Sequence, residues 1–392
     1  MSDYKSNIWK MYLLRFFRSF HMVSGVLIPF FTDWGNLNFT QVLFLQSWFL
    51  IWVFLLEIPT GTVADYLGRK TSLFFAGLVG TVGAIIYSSS PNFYVFMIGE
   101  FLFAMSVALM SGADQALIYD SLKKTKQTKI SKEIFARYES LGVLGIMIAA
   151  PIGSYIGVNF GLQAPMLLMS IPMLLSVIIS LTLKEPSSKA RIESKRYLNI
   201  LKEGTRYFFK HKILKILALD MVIIGVVSYF IIWLYQPLIR NIGISIIYFG
   251  LIHAAVCFVE ILIMNNFRKL ENILGSKKRL IFLSAFIPGI MFIVAGLTTF
   301  LPLLLLSILL IGGFGLTRRI LFASYFNKYI PSDKRATVLS TISMFRTFAI
   351  AIVNPFVGML TDWSLYYTAI LLGAIAVLFA FISRTKEKML KE

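Results

Sequence analysis

Gly61-Thr62-Val63-Ala64-Asp65-Tyr66-Leu67-Gly68-Arg69-Lys70 stands between two apolar runs, 40–62 and 72–89. A bilayer crossing takes about 20 mainly apolar residues, and each run supplies roughly that length. The segment between them has room only for a tight turn back into the membrane. Gly61 and Gly68 allow that turn and a close approach of the flanking helices. Asp65 and Arg69 set opposite charges one helical turn apart at the interface, where ion pairs are less screened than in bulk water.

Outward from this turn the pattern repeats along the whole chain. Further apolar runs lie at 9–31, 93–122, 136–157 and 162–183, then at 214–238, 245–266, 280–298, 300–327, 336–358 and 364–383. Twelve transmembrane helices are expected, because lipid offers backbone groups no hydrogen-bond partners. Composition agrees: 57% of the 392 residues are hydrophobic and 15% are charged, against about 25% charged in soluble domains. The one cysteine, Cys257, lies inside an apolar run and allows no intrachain disulfide. The first run contains Arg15 and Arg18 and no small-residue cleavage site follows it, so this helix is expected to be retained and not removed as a signal peptide.

The net charge of +19 is explained by topology. With both termini cytoplasmic, nearly all Lys and Arg fall inside. The exceptions are Arg15, Arg18, Arg318, Arg319 and Arg346 within helices and Arg240 outside. The reverse orientation violates the positive-inside rule. A nucleic-acid partner is therefore unnecessary, and a multi-pass protein of the plasma membrane is expected. Lys184 to Lys215 is the longest polar segment, with ten basic and three acidic residues. It divides the chain into an N-terminal six-helix half (1–183), a basic linker (184–213) and a C-terminal six-helix half (214–392). Tyr197, Leu198, Leu201, Tyr207 and Phe208 suit either an amphipathic helix on the inner membrane surface or a solvated linker. Asp65-x-x-Gly68-Arg69-Lys70 between helices 2 and 3 has a counterpart, Asn272-x-x-Gly275-Ser276-Lys277-Lys278, between helices 8 and 9, at an offset of 207 residues. This is the mark of an internal repeat.

The 61–70 segment resembles the helix 2–3 signature of the major facilitator superfamily, with Tyr66 where that family usually has Arg. The resemblance implies an all-α fold of two pseudo-symmetric six-helix halves. It implies a gate latch made of Gly61, Asp65, Gly68, Arg69 and Lys70, with Asp65 facing the end of helix 11 and Arg69 paired with an acid at the foot of helix 4. Asp120 fits that role. Helices 1, 4, 7 and 10 are implied to line a central cavity. The branch of drug antiporters carries an Arg in helix 4, where this chain has Glu100. Its helix 5 motif is degenerate here, at Gly145-x-x-x-Ala149-Ala150-Pro151-Ile152-Gly153.

Charges inside a bilayer are costly and mark function. Arg15, Arg18 and His21 recur at i, i+3 and i+6 on helix 1. Glu100 and Asp114 on helix 4 are expected within about 40° of each other on one face at 100° per residue, and Arg18 and Asp114, each roughly 8–9 residues from the cytoplasmic end of their helices, are expected to pair across the cavity. Asp220 lies in helix 7, His253 and Glu260 in helix 8, Arg318 and Arg319 in helix 10, and Arg346 in helix 11. Glu100, Asp114 and Glu260 are the candidates to carry a coupling proton. Arg15, Arg18, His21, Asp220, Arg318, Arg319 and Arg346 are candidate cavity residues. Glu57 belongs with the latch. Trp9, Trp34 and Trp363 are placed to anchor at interfaces.

Nothing in the sequence suggests an enzyme, a cofactor or a metal site. The expected function is secondary active transport by a monomer in the lipid bilayer, as a proton-coupled antiporter for efflux of a lipophilic or cationic compound, in the manner of multidrug resistance. The alternatives are transport of an anionic metabolite drawn to the arginines, or a non-transporting sensor or scaffold of the same fold.

Overall fold

The computed structural model describes residues 2–185, 194–331 and 334–390. Among these residues every regular element is helical. Twelve helical segments are long and apolar enough to cross a membrane: α1 (Tyr4–Trp34), α2 (Phe39–Glu57), α3 (Arg69–Tyr87), α4 (Phe93–Lys124), α5 (Thr128–Phe160), α6 (Ala164–Thr182), α7 (Lys212–Asn241), α8 (Ile246–Leu274), α9 (Lys277–Leu297), α10 (Leu301–Tyr329), α11 (Thr337–Trp363) and α12 (Leu365–Ile382). Large apolar side chains stay exposed on them, among them Ile178 (52%), Leu219 (55%) and Phe381 (67%). In water such surface would be costly to leave uncovered; in a bilayer it faces lipid tails of equal polarity.

The chain forms two compact units. The first comprises Met1–Glu193 with Ile246–Ala254, and the second comprises Ser194–Ser245 with Ala255–Glu392. Within the first, α3 packs on α4 and α6, and α1 on α5 and α6. Within the second the same neighbours recur: α9 packs on α10 and α12, and α7 on α11 and α12. The recurrence extends to the turns. Gly68 has φ +94° and Gly275 has φ +63°, a region that L side chains rarely enter, so the glycines of the sequence repeat are required by backbone geometry.

Several spans are not continuous helices. In α1 the α-helix stops at Arg18 and continues as 3-10 and π turns to Trp34. In α4 the helix ends at Met110 and restarts at Ala113, because Ser111 is extended (ψ 122°) and Gly112 has φ +76°. The shared face expected for Glu100 and Asp114 assumed 100° per residue throughout; this break removes the premise. In α10 a π segment, Ile311–Leu316, carries Gly312, Gly313 and Gly315 against Val256, Val259, Ile263 and Ser228. Widened turns of this kind distort helices locally and are frequent at functional sites.

Close backbone approach holds the first unit at Ser154. Its Oγ donates to the Gly25 carbonyl (3.0 Å) and accepts from Gly250 N (2.7 Å), tying α1, α5 and the start of α8. The linker segment folds as a helix, Ser194–Lys210. Gly204 packs on Thr337, and the Tyr207 hydroxyl donates to the Tyr329 carbonyl (2.7 Å). Phe208 is buried in the core of the second unit. At Gly204, Tyr207 and Phe208 this helix thus packs on protein, while Phe209 is 52% exposed; the side chains of Tyr197, Leu198 and Leu201 lie outside the described residues.

Trp9 and Trp363 are exposed by 54% and 72%, as interfacial anchors require. Trp34 instead stacks on Phe30 at 5.1 Å and packs on Phe96.

Candidate functional site

Glu100 is 6% exposed, and its Oε1 accepts from Gln46 Nε2 (2.6 Å) and from the Tyr87 hydroxyl (2.9 Å). Both donors are uncharged. Tyr87 is held by rings: it stacks on Phe96 at 5.1 Å and packs against Phe30, Phe31 and Phe103. Gly99 faces the same ring so closely that a β-carbon there would overlap it. The carboxyl is therefore fixed in an apolar box by neutral donors, with no cation beside it among the described residues.

Asp114 is 8% exposed and is held in the same manner. Its Oδ2 accepts from the Tyr138 hydroxyl (2.7 Å) and its Oδ1 from Gln115 N (2.7 Å). Arg15 lies over the Tyr138 ring at 5.3 Å and forms its ion pair with Glu139 at 2.7 Å, the partners being 29% and 52% exposed. The expected Arg18–Asp114 pair is not formed. Arg18 is 9% exposed, and its Nε and Nη1 have no hydrogen-bond partner. Its head group lies against Gly80, where a β-carbon would come within 2.6 Å of Nη1. His21 is exposed, with Nε2 3.0 Å from the Arg18 carbonyl oxygen.

At the helix 2–3 turn, Arg69 Nη1 pairs with Asp120 and also donates to the Ala116 carbonyl (3.0 Å). The backbone N–H groups of Arg69 and Lys70 donate to Glu185, at 3.1 and 2.7 Å. The carboxylate just after α6 thus caps α3, where helix N–H groups lack partners and the dipole favours an anion. The second unit repeats the device. Glu387, just after α12, accepts from Ser276 Oγ (2.6 Å), Lys277 N (3.2 Å) and Lys278 N (2.8 Å) at the start of α9. The side chain of Asp65 lies outside the described residues. Glu57 stands in the same helix, ten residues before Leu67, where that helix ends.

The second unit buries a full ion pair. Arg318 Nη2 pairs with Asp220, the two side chains being 0% and 3% exposed. Arg318 Nη1 donates to the Ile281 carbonyl (2.9 Å) and to Ser284 Oγ, and its guanidinium lies 4.9 Å from the centre of the Phe322 ring. Asp220 also accepts from Ser383 Oγ and from Thr385 Oγ1 (2.8 Å). Asp220 and Arg318, expected in a cavity wall, are occupied by each other inside the helix packing. Arg319 is exposed, and Arg346 is half-buried beside Gly225. Glu260 is half-buried and has no ion-pair partner among the described residues. His253 falls in the part of α8 that belongs to the first unit. No cluster of His, Cys, Asp and Glu among the described residues is suited to a metal.

The sequence reading did not single out Gln46, Tyr87, Tyr138, Glu139 or Ser284. Glu185 and Glu387 carried a signal: each follows the last span of its half.

The Major Facilitator Superfamily model matches residues 12–354. A D-xylose-proton symporter-like protein of Arabidopsis thaliana is 29% identical over 126 residues, 32% of this chain and 22% of the relative. A glucose/galactose transporter of Brucella abortus is 22% identical over 236 residues, 56% of each chain. The matched stretches thus cover between about a fifth and about a half of these relatives. In fold, the chain is similar to the crystal structure of the nucleoside transporter NupG, with a TM-score of 0.80 and 15% identity over 98% of this chain and 99% of that one.

Proposed function

The chain belongs to the Major Facilitator Superfamily, and from that premise we propose that it is a secondary active transporter of a small polar solute, of the sugar or nucleoside class, working by alternating access and coupled to protons. One observation carries the coupling. The first unit buries a carboxyl, Glu100, held only by neutral donors, and in the same unit Arg18 has Nε and Nη1 without partners. A carboxyl in such a box accepts or releases a proton without breaking an ion pair. The lone guanidinium gains a partner in any rearrangement that brings Asp114 or Glu100 to it. A buried charge without compensation is costly in a membrane, so the arrangement has a built-in alternative.

The solute class is supported by the relatives, which are named for sugars and by fold for nucleosides. Nothing in them supports efflux of a lipophilic or cationic compound, antiport or multidrug resistance, the branch read from the sequence. Transport of an anionic metabolite is the second reading. Arg319 and Arg346 favour it, since neither has a carboxylate partner among the described residues. On the distribution of Lys and Arg we place both termini on the cytoplasmic side of the membrane.

The direct test is uptake into proteoliposomes with and without an imposed pH gradient, offering a pentose, a hexose, a nucleoside, an organic anion and a cationic dye. A sugar or nucleoside accumulating above equilibrium only under the gradient is expected. Accumulation of the anion or the dye alone would replace the solute class. Accumulation indifferent to the gradient would remove proton coupling.

The turn between α2 and α3 is assigned the latch. Arg69→Ala deletes the side-chain bridge to Asp120 while keeping the N–H donated to Glu185. A latch biasing two states by 1–3 kcal/mol changes their ratio about 5- to 150-fold, so uptake is expected to fall by about tenfold with the thermal midpoint little changed. Wild-type uptake in this variant would reduce the pair to a surface ion pair of small worth.

A further inference from the structure

The Lys212 end of α7 and the chain after α12 enclose a cleft of ≈ 910 Å³ in the second unit. Five cations line it: Lys212 and Lys215 on one wall, Arg384, Lys386 and Lys388 on the other. All five are exposed, and none has a carboxylate partner among the described residues. The one acid in the lining, Asp220, is held by Arg318, Ser383 and Thr385. The first turn of α7 adds to the field, since it contains no acidic residue and its free N–H groups present positive charge.

The second wall owes its charge to backbone alternation. Ser383 (φ −51°, ψ 127°) and Lys386 (φ −112°, ψ 148°) are extended, and successive side chains of an extended chain point to opposite sides. Ser383, Thr385 and Glu387 turn inward, the first two onto Asp220 and the third onto the start of α9. Arg384, Lys386 and Lys388 turn outward and are exposed. The rest of the cleft is apolar and includes Phe379, Leu219 and Ile382, the last two 55% and 57% exposed. A cationic cup therefore opens directly onto membrane-facing hydrocarbon.

We propose that this cleft binds one anionic phospholipid, its phosphate among the five cations and an acyl chain along Leu219 and Ile382. Anionic headgroups attract basic residues near a membrane surface by about 1 kcal/mol each. A free phosphorylated solute would use the cations but has no need of the apolar wall. Because the same segment carries Ser383, Thr385 and Glu387, an occupied cleft holds the Asp220 and α9 contacts in place.

The test uses the full chain reconstituted in phosphatidylcholine vesicles with a minor fraction of phosphatidylglycerol, then extracted in mild detergent. The co-purified lipid is quantified by mass spectrometry. Wild type is expected to retain phosphatidylglycerol in excess of its share. R384Q/K386Q/K388Q is expected to lose at least about tenfold of that enrichment, and K212Q/K215Q, on the other wall, to lose it in the same direction. K123Q/K124Q/K129Q, in the first unit, is expected to keep it. No enrichment in wild type, enrichment intact in both cleft variants, or equal loss in the first-unit variant would each overturn the proposal. Displacement of the lipid by an equal concentration of inorganic phosphate would overturn the lipid assignment in favour of a free-anion site.

Discussion

Asp220→Asn is expected to lower the stability of the protein by about 3–5 kcal/mol, the cost of leaving one member of a buried ion pair unpaired. Arg318 is 0% exposed on its side chain and keeps only the Ile281 carbonyl and Ser284 Oγ as acceptors once the carboxylate is gone. Asn keeps one acceptor oxygen in place of two, so it cannot serve both Arg318 on one side and the Ser383 and Thr385 hydroxyls, which donate to Asp220, on the other. Arg318→Gln is expected to cost as much from the other side. The double variant Asp220→Asn/Arg318→Gln is expected to recover most of the loss, because two neutral amides need no charge compensation. Thermal unfolding of the purified protein measures all three. Single variants as stable as wild type would mean that water reaches the pair and the charge is not buried.

Glu100→Gln is expected to bring gradient-driven accumulation down to the equilibrium level while solute exchange across the membrane survives. Exchange returns the same solute and needs no net proton transfer, whereas uphill transport needs a carboxyl that loads and releases a proton. Gln preserves the shape of the side chain and an acceptor for Gln46 and Tyr87, so the aromatic box around Tyr87 is expected to stay intact. The comparison is Asp114→Asn, which keeps the acceptor for Tyr138. If accumulation in Glu100→Gln matches wild type and Asp114→Asn abolishes it, the coupling carboxyl is Asp114. If both match wild type, the half-buried Glu260 is next. Loss of exchange together with accumulation would assign Glu100 to solute binding or to the fold, and not to coupling.

The two experiments separate the two kinds of buried acid in this protein. Asp220 is compensated by a cation and two hydroxyls, so its charge is part of the packing. Glu100 is held by dipoles alone, and Asp114 by dipoles with the Arg15 guanidinium nearby, over the Tyr138 ring. Single-chain topology treats all of them alike, as acids inside apolar runs.

Span number, the polar linker and the glycine turns were legible in the sequence because each depends on a local property. Hydropathy over about 20 residues decides a crossing, and a glycine at positive φ answers to its own backbone, as at Gly68 and Gly275. The Arg69–Asp120 pair was legible through the family motif at 61–70. Partners were a different matter. Asp220 and Arg318 are 98 residues apart, and Arg69 and Glu185 are 116 apart. Which donor reaches which carboxyl depends on helix packing, and helix packing depends on features that hydropathy does not register. The break at Ser111–Gly112 is the clearest case: it interrupts the helix between Glu100 and Asp114, so one continuous helical face cannot be assumed for the two acids. The apolar content of the chain determined that it crosses the membrane twelve times. Only the tertiary structure decided which buried charges are neutralised by ions and which by dipoles, because electrostatic compensation acts through space over a few ångströms and not along the chain.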